Sequence, residues 1–86
     1  MGLAMLSKDT FAGLVRDHQD RLYAYACSLS ADPVLAHDIV QESFVEAFRK
    51  FETLKEIKAF GSWMRTIVFR QYLAHKKEGE PQVPYN

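Results

Sequence analysis

Apolar residues recur every three or four positions from about Thr10 to Ser30. Phe11, Leu14, Val15, His18, Leu22, Tyr25, Ala26 and Leu29 fall on one line of a helix. The same spacing returns twice more, and nowhere does the chain alternate with the two-residue period of a strand. Ser30-Ala31-Asp32-Pro33 closes the first run. Asp32 suits an N-cap, and Pro33 suits the first helical position, where its missing N–H would have no partner anyway. A second helix is expected from about Pro33 to Phe51, with Val40, Phe44, Ala47, Phe48 and Phe51 sharing one side. A third is expected from about Ala59 to Lys77, with Phe60, Trp63, Met64, Ile67 and Ala74 inward. Between them Glu52 to Lys58 loses the period, although Thr53 and Glu56 have capping-box spacing that would allow a short helical turn. Ser7 or Asp9 would cap the first helix.

These runs specify an all-α fold, a three-helix bundle with a short loop or helical turn between helices two and three. Residues 10–77 form the domain. Residues 1–9 are an N-terminal extension, and residues 78–86, with Pro81 and Pro84, are a tail or the start of an interdomain linker. A chain of 86 residues makes one domain, and its 48% hydrophobic content with 11 aromatic residues suffices for a small core. The single cysteine, Cys27, cannot form an internal disulfide and points to a reducing compartment. No apolar run approaches the roughly 18 residues of a membrane span. The start, MGLAMLSKDT, has no charged leader before its apolar stretch. A cytoplasmic protein with no membrane partner is expected.

The sequence offers little to catalysis. It has no Gly-rich phosphate loop, no Cys or His pair at metal spacing, and no serine beside a base. His18, His37 and His75 fall one to each expected helix, and His18 reads as a core imidazole within the first stripe. Cys27 has no neighbouring cation to activate it. No enzyme activity, cofactor, metal or small-molecule substrate is expected.

Charge is distributed unevenly behind a formal net charge of zero. Residues 1–43 carry three basic groups against six acids, and residues 44–86 carry eight against five. From Ala47 to Lys77 all eight basic groups stand against only Glu52 and Glu56. Such a division suggests two partners on two surfaces.

The first surface is the outer side of helix two. Asp38, Gln41, Glu42 and Val45 form one patch, with Glu46 and Arg49 at its edge. A water-facing side accounts for the charges but not for an aliphatic centre. A small apolar spot ringed by acids and an amide is what a helix presents to a basic partner helix. The second surface is on helix three, where Arg65, Phe69, Tyr72 and Lys76 follow one another at spacings of four, three and four. Aromatic faces stack on unpaired bases while Arg and Lys meet phosphates, which is the chemistry of single-strand binding. The alternative is that Phe69 and Tyr72 pack against the first helix and bury helix three on two sides.

The run DPVLAHDIVQESFVEAFRKF resembles the core-binding helix in region 2 of bacterial RNA polymerase sigma factors, most closely those of the extracytoplasmic-function (ECF) group. FGSWMRTIV, Phe60 to Val68, is similar to the start of that family's promoter-recognition and melting helix, and LVRDHQDRLYAYA fits its first helix. The resemblance covers about Thr10 to Lys77. It implies that Asp38, Gln41, Glu42 and Val45 dock on a coiled coil of the largest subunit of core RNA polymerase. It also implies that the connector Phe51 to Ala59 captures a flipped base of the promoter minus-ten element. Helix three would then grip the non-template single strand, and the DNA-contacting set would be Lys55, Lys58, Trp63, Arg65, Phe69, Arg70, Tyr72 and Lys76. An anti-sigma factor is a further candidate partner. Arg70 stands where the family usually has Asn, Ala74 where it usually has Asp, and Phe69 where Arg is frequent. The family's second domain, which binds the minus-thirty-five element, has no counterpart in this sequence. The rival reading is a sigma-like interaction module that binds polymerase or a regulator without specific DNA binding.

Overall fold

The computed structural model describes residues 8–79, and every statement about structure refers to them. Helix α1 spans Lys8–Ser30, α2 spans Pro33–Arg49 and α3 spans Phe60–Gly79. Two single 3-10 turns, Phe51–Thr53 and Ile57–Ala59, make up most of the connector between α2 and α3. Each helix packs on the other two, so the bundle has one shared core. The expected extension and tail lie largely outside the described residues, as does Ser7. Asp9 sits in the first turn of α1 rather than capping it, where its charge favours the positive end of the helix dipole.

The α1–α2 turn is tight because each of its residues satisfies a helix end. Ala31 adopts a φ of 58°, a left-handed conformation that lets its N–H bond back to the Cys27 carbonyl at 2.8 Å. Asp32 is then extended, and its side chain accepts from the N–H groups of Val34 at 3.0 Å and Leu35 at 3.2 Å, with Pro33 following as foreseen. The alanine is an expensive choice, since a left-handed φ costs an L-residue about 1 kcal/mol that glycine avoids.

Phe11, Leu22 and Ala26 from α1, Ala36, Ile39, Val40, Phe44 and Ala47 from α2, and Phe60, Met64, Ile67 and Val68 from α3 form the core. Phe51 and Leu54 close it from the connector. Phe60 is its hub: its ring meets those of Phe11, His18, Phe51 and Trp63 at centroid distances of 6.0, 5.0, 6.4 and 5.9 Å. Ser43 is fully buried and donates to the Ile39 carbonyl at 2.7 Å, so it leaves no unmet polar group. His18 lies half-buried in its stripe, as foreseen; its Nδ1 is 2.9 Å from the Leu14 carbonyl, which only accepts, so Nδ1 carries the proton.

Several details differ from the sequence reading. Helix α2 ends at Arg49, so Phe51 reaches the core from a 3-10 turn. Phe48 is half exposed and meets the core ring of Phe11 edge-on, at 5.3 Å. Ala74 is exposed, and Val68 is buried in its stead, because at the level of Ala74 the side of α3 facing α2 belongs to Gln71 and His75. The capping box does not form. Thr53 donates its hydroxyl to the Lys50 carbonyl at 2.6 Å, and Glu56 precedes the second turn without a side-chain cap bond.

Candidate binding surfaces

Asp38, Gln41, Glu42 and Val45 form an exposed ridge along α2, with Val45 53% exposed. Shallow grooves flank the ridge. The one toward α1 is lined by Gln19, Asp20, Tyr23, His37, Val40 and Gln41, and the one toward α3 by Glu42, Val45, Glu46, Arg49 and Gln71. Val34, in the first turn of the same helix, is also exposed.

The α3 side of the ridge is stitched rather than free. Glu42 Oε1 lies 2.7 Å from His75 Nε2. Glu46 accepts from Lys50 Nζ at 2.7 Å and from Gln71 Nε2 at 2.9 Å, and the Arg70 guanidinium lies 3.5 Å away. The Lys50 bond first, then the Gln71 bond, hold the Glu46 carboxyl below its ordinary pKa, with the charges of Lys50 and Arg70 assisting against partial burial. The two expected surfaces of opposite charge therefore meet along a polar seam instead of standing apart.

On α3, Arg65, Phe69 and Lys76 are exposed on one side, with Tyr72 half-buried beside them. The two readings of the aromatic pair divide between its members. Phe69 is 41% exposed, while Tyr72 packs on the edge of the core, the rings standing 6.3 Å apart. Arg65 lays its guanidinium over the Tyr25 ring of α1, 4.8 Å from the centroid. Leu73, four residues after Phe69, is 44% exposed and widens the apolar part of the strip. Its spacing from Phe69 was the available signal, and the sequence reading passed over it.

Lys55 and Lys58 are exposed on the connector that leads into α3. Trp63 is half-buried against Phe60 and offers only part of its indole outward. Arg70, expected among the DNA-contacting residues, instead reaches the seam, 3.5 Å from Glu46. From Ile57 to Lys77 the chain has no acidic residue, so α3 carries no carboxylate before Glu78 in its last turn. Among the described residues no three His, Cys, Asp or Glu side chains converge as a metal site, and no helix is long and apolar enough to cross a membrane.

The profile of the family described as Sigma-70 region 2 matches residues 14–79. Among curated proteins, the ECF RNA polymerase sigma factor SigE of Mycolicibacterium smegmatis is 35% identical over 60 residues, which are 70% of this chain and 23% of that protein. The chain thus spans about a quarter of the length of that relative. No solved structure gives a significant match.

Proposed function

The chain belongs to the sigma-70 region 2 family, within its ECF group, and from that premise we propose that the α2 ridge binds core RNA polymerase while α3 and its connector bind the opened minus-ten strand. The observation that carries the DNA half is the exposed, acid-free strip Arg65, Phe69 and Lys76, preceded by the exposed Lys55 and Lys58. A helix that keeps a phenylalanine and the cations Arg65 and Lys76 in water retains the groups that an unpaired strand can use. Bases stack on the ring, and phosphates meet the cations.

Melting then needs no nucleotide hydrolysis. Base–aromatic stacking contributes about 1–3 kcal/mol per base, and a duplex step is worth roughly 1.4 kcal/mol. One or two captured bases offset the opening of a similar number of steps, so preferential binding of the open strand shifts the duplex equilibrium. Phe69, with the outward edges of Tyr72 and Trp63, supplies the stacking faces. Lys55, Lys58, Arg65 and Lys76 supply the charge. Arg70 contributes only when Glu46 releases it.

On the polymerase side, Asp38, Gln41 and Glu42 surround Val45 with acceptors suited to a basic helix, and the flanking grooves admit its side chains. The test of the DNA half is charge reversal at Lys55, Lys58, Arg65 and Lys76, read as binding to a single-stranded minus-ten oligonucleotide in complex with core polymerase. Loss of binding supports the reading. Unchanged binding overturns it in favour of an interaction module that does not use DNA.

A further inference from the structure

A third recess, between α1 and α3, is lined by His18, Arg21, Leu22, Gly61 and Arg65 and has a volume of about 170 Å³. Asp20 lines the α1–α2 groove, and Glu42 and Glu46 line the α2–α3 groove, whereas no carboxylate lines this one. Its two guanidinium groups come from different helices. Arg21 is exposed and, among the described residues, bonds only the Asp17 carbonyl of its own helix, at 3.3 Å. Arg65 rests on the face of Tyr25. Among the described residues, neither has an acidic side chain within salt-bridge distance, in contrast to Lys50 and Arg70, which share Glu46. The His18 ring forms part of the floor, held in place by its bond to Leu14. It stands 3.5 Å from where a β-carbon on Gly61 would lie.

Two unneutralised guanidiniums facing one recess repel each other until an anion lies between them, and the planar fork of arginine fits phosphate oxygens. Arg65 is also the first residue of the exposed α3 strip, so a strand lying along Phe69 and Lys76 brings its backbone to this recess. We propose that the α1–α3 recess holds a phosphate of the nucleic-acid backbone, and that Arg21 of α1 is a DNA-contacting residue. The inference rests on the DNA reading above and extends it to a helix that reading left unassigned.

The test is the salt dependence of binding to a single-stranded minus-ten oligonucleotide by the 86-residue chain in complex with core polymerase. The wild type, Arg21→Gln, Arg21→Lys and a charge-matched control, Arg16→Gln on the same helix, are compared. Each phosphate contact adds about 0.7 to the slope of log affinity against log salt for single strands. Arg21→Gln is expected to lower that slope by about 0.7 and to weaken low-salt binding roughly three- to tenfold, with Arg21→Lys recovering most of both and Arg16→Gln changing neither. An oligonucleotide made neutral by methylphosphonate at a single linkage is expected to weaken wild-type binding but not Arg21→Gln binding. If the wild type binds and Arg21→Gln matches Arg16→Gln in slope, or no linkage distinguishes it from wild type, the recess is not a backbone site. If the wild type does not bind the oligonucleotide, the DNA reading itself fails and this inference falls with it.

Discussion

Gln71 donates its side-chain amide to Glu46 across 2.9 Å, joining the last turn of α2 to the middle of α3 over 25 residues of sequence. Together with His75 on Glu42, 2.7 Å apart, it fixes the register of the two helices that carry the two proposed binding surfaces. A partner that competes for Glu42 or Glu46 on one surface acts on side chains of the other.

The depressed Glu46 pKa makes the seam pH-sensitive. The group ordinarily titrates near 4.5, and the fold holds it lower through Lys50 and Gln71. The unfolded chain therefore takes up its proton first, so the stabilisation is fully present above about pH 4.5 and is lost as pH falls through the folded value. Glu46→Gln is expected to cost about 1 kcal/mol at pH 7. That difference from wild type should shrink in thermal melts carried from pH 6 toward pH 3. A constant difference across that range would show that the carboxylate charge contributes nothing.

At the α1–α2 turn, Ala31→Gly is expected to stabilise the domain. Relief of the left-handed φ outweighs the added chain freedom of glycine by up to about 1 kcal/mol. Urea denaturation reads this as a higher midpoint at an unchanged slope. Asp32→Ala, two atoms of whose environment are the orphan N–H groups of Val34 and Leu35, is expected to lose about 1 kcal/mol by the same measurement.

Phe60, the first residue of α3, is fully buried, and its ring meets rings of α1 and of the connector. Truncation to alanine costs about 3–5 kcal/mol at such a site. For a domain this small, with total stability on the order of 5–10 kcal/mol, that removes a large share. Circular dichroism of Phe60→Ala should show a broad, early melt, whereas Phe69→Ala, at an exposed position, should melt like wild type.

The helices and the Asp32-Pro33 start were legible because they depend on residues within one or two turns of each other. The period of Phe11 to Leu29 and the cap–proline pair are both local signals. The ends of the inner stripes were less so. Ala74 has a methyl group that suits either face, and only the position of α2 determines that Gln71 and His75 turn inward in its place. The polar seam was not legible, since its pairs lie 25 and 33 residues apart and depend on helix register. For the same reason the family resemblance counted Arg70 among the DNA-contacting residues. The carboxylate that draws it away is on another helix. Arg21 reads in sequence as an ordinary solvated charge, and acquires a neighbour in Arg65 only when α1 and α3 are brought together.

The α2 ridge is the proposed docking surface, and capture of core RNA polymerase tests that role most directly. Wild-type protein is compared with Gln41→Ala, Val45→Asp and, as a control on the same helix, Val34→Asp, an exposed site outside the patch. The expected result is capture by the wild type and Val34→Asp, at least tenfold weaker capture by Val45→Asp, and an intermediate loss for Gln41→Ala. Equal capture of polymerase by all four proteins, each folded by circular dichroism, would contradict it.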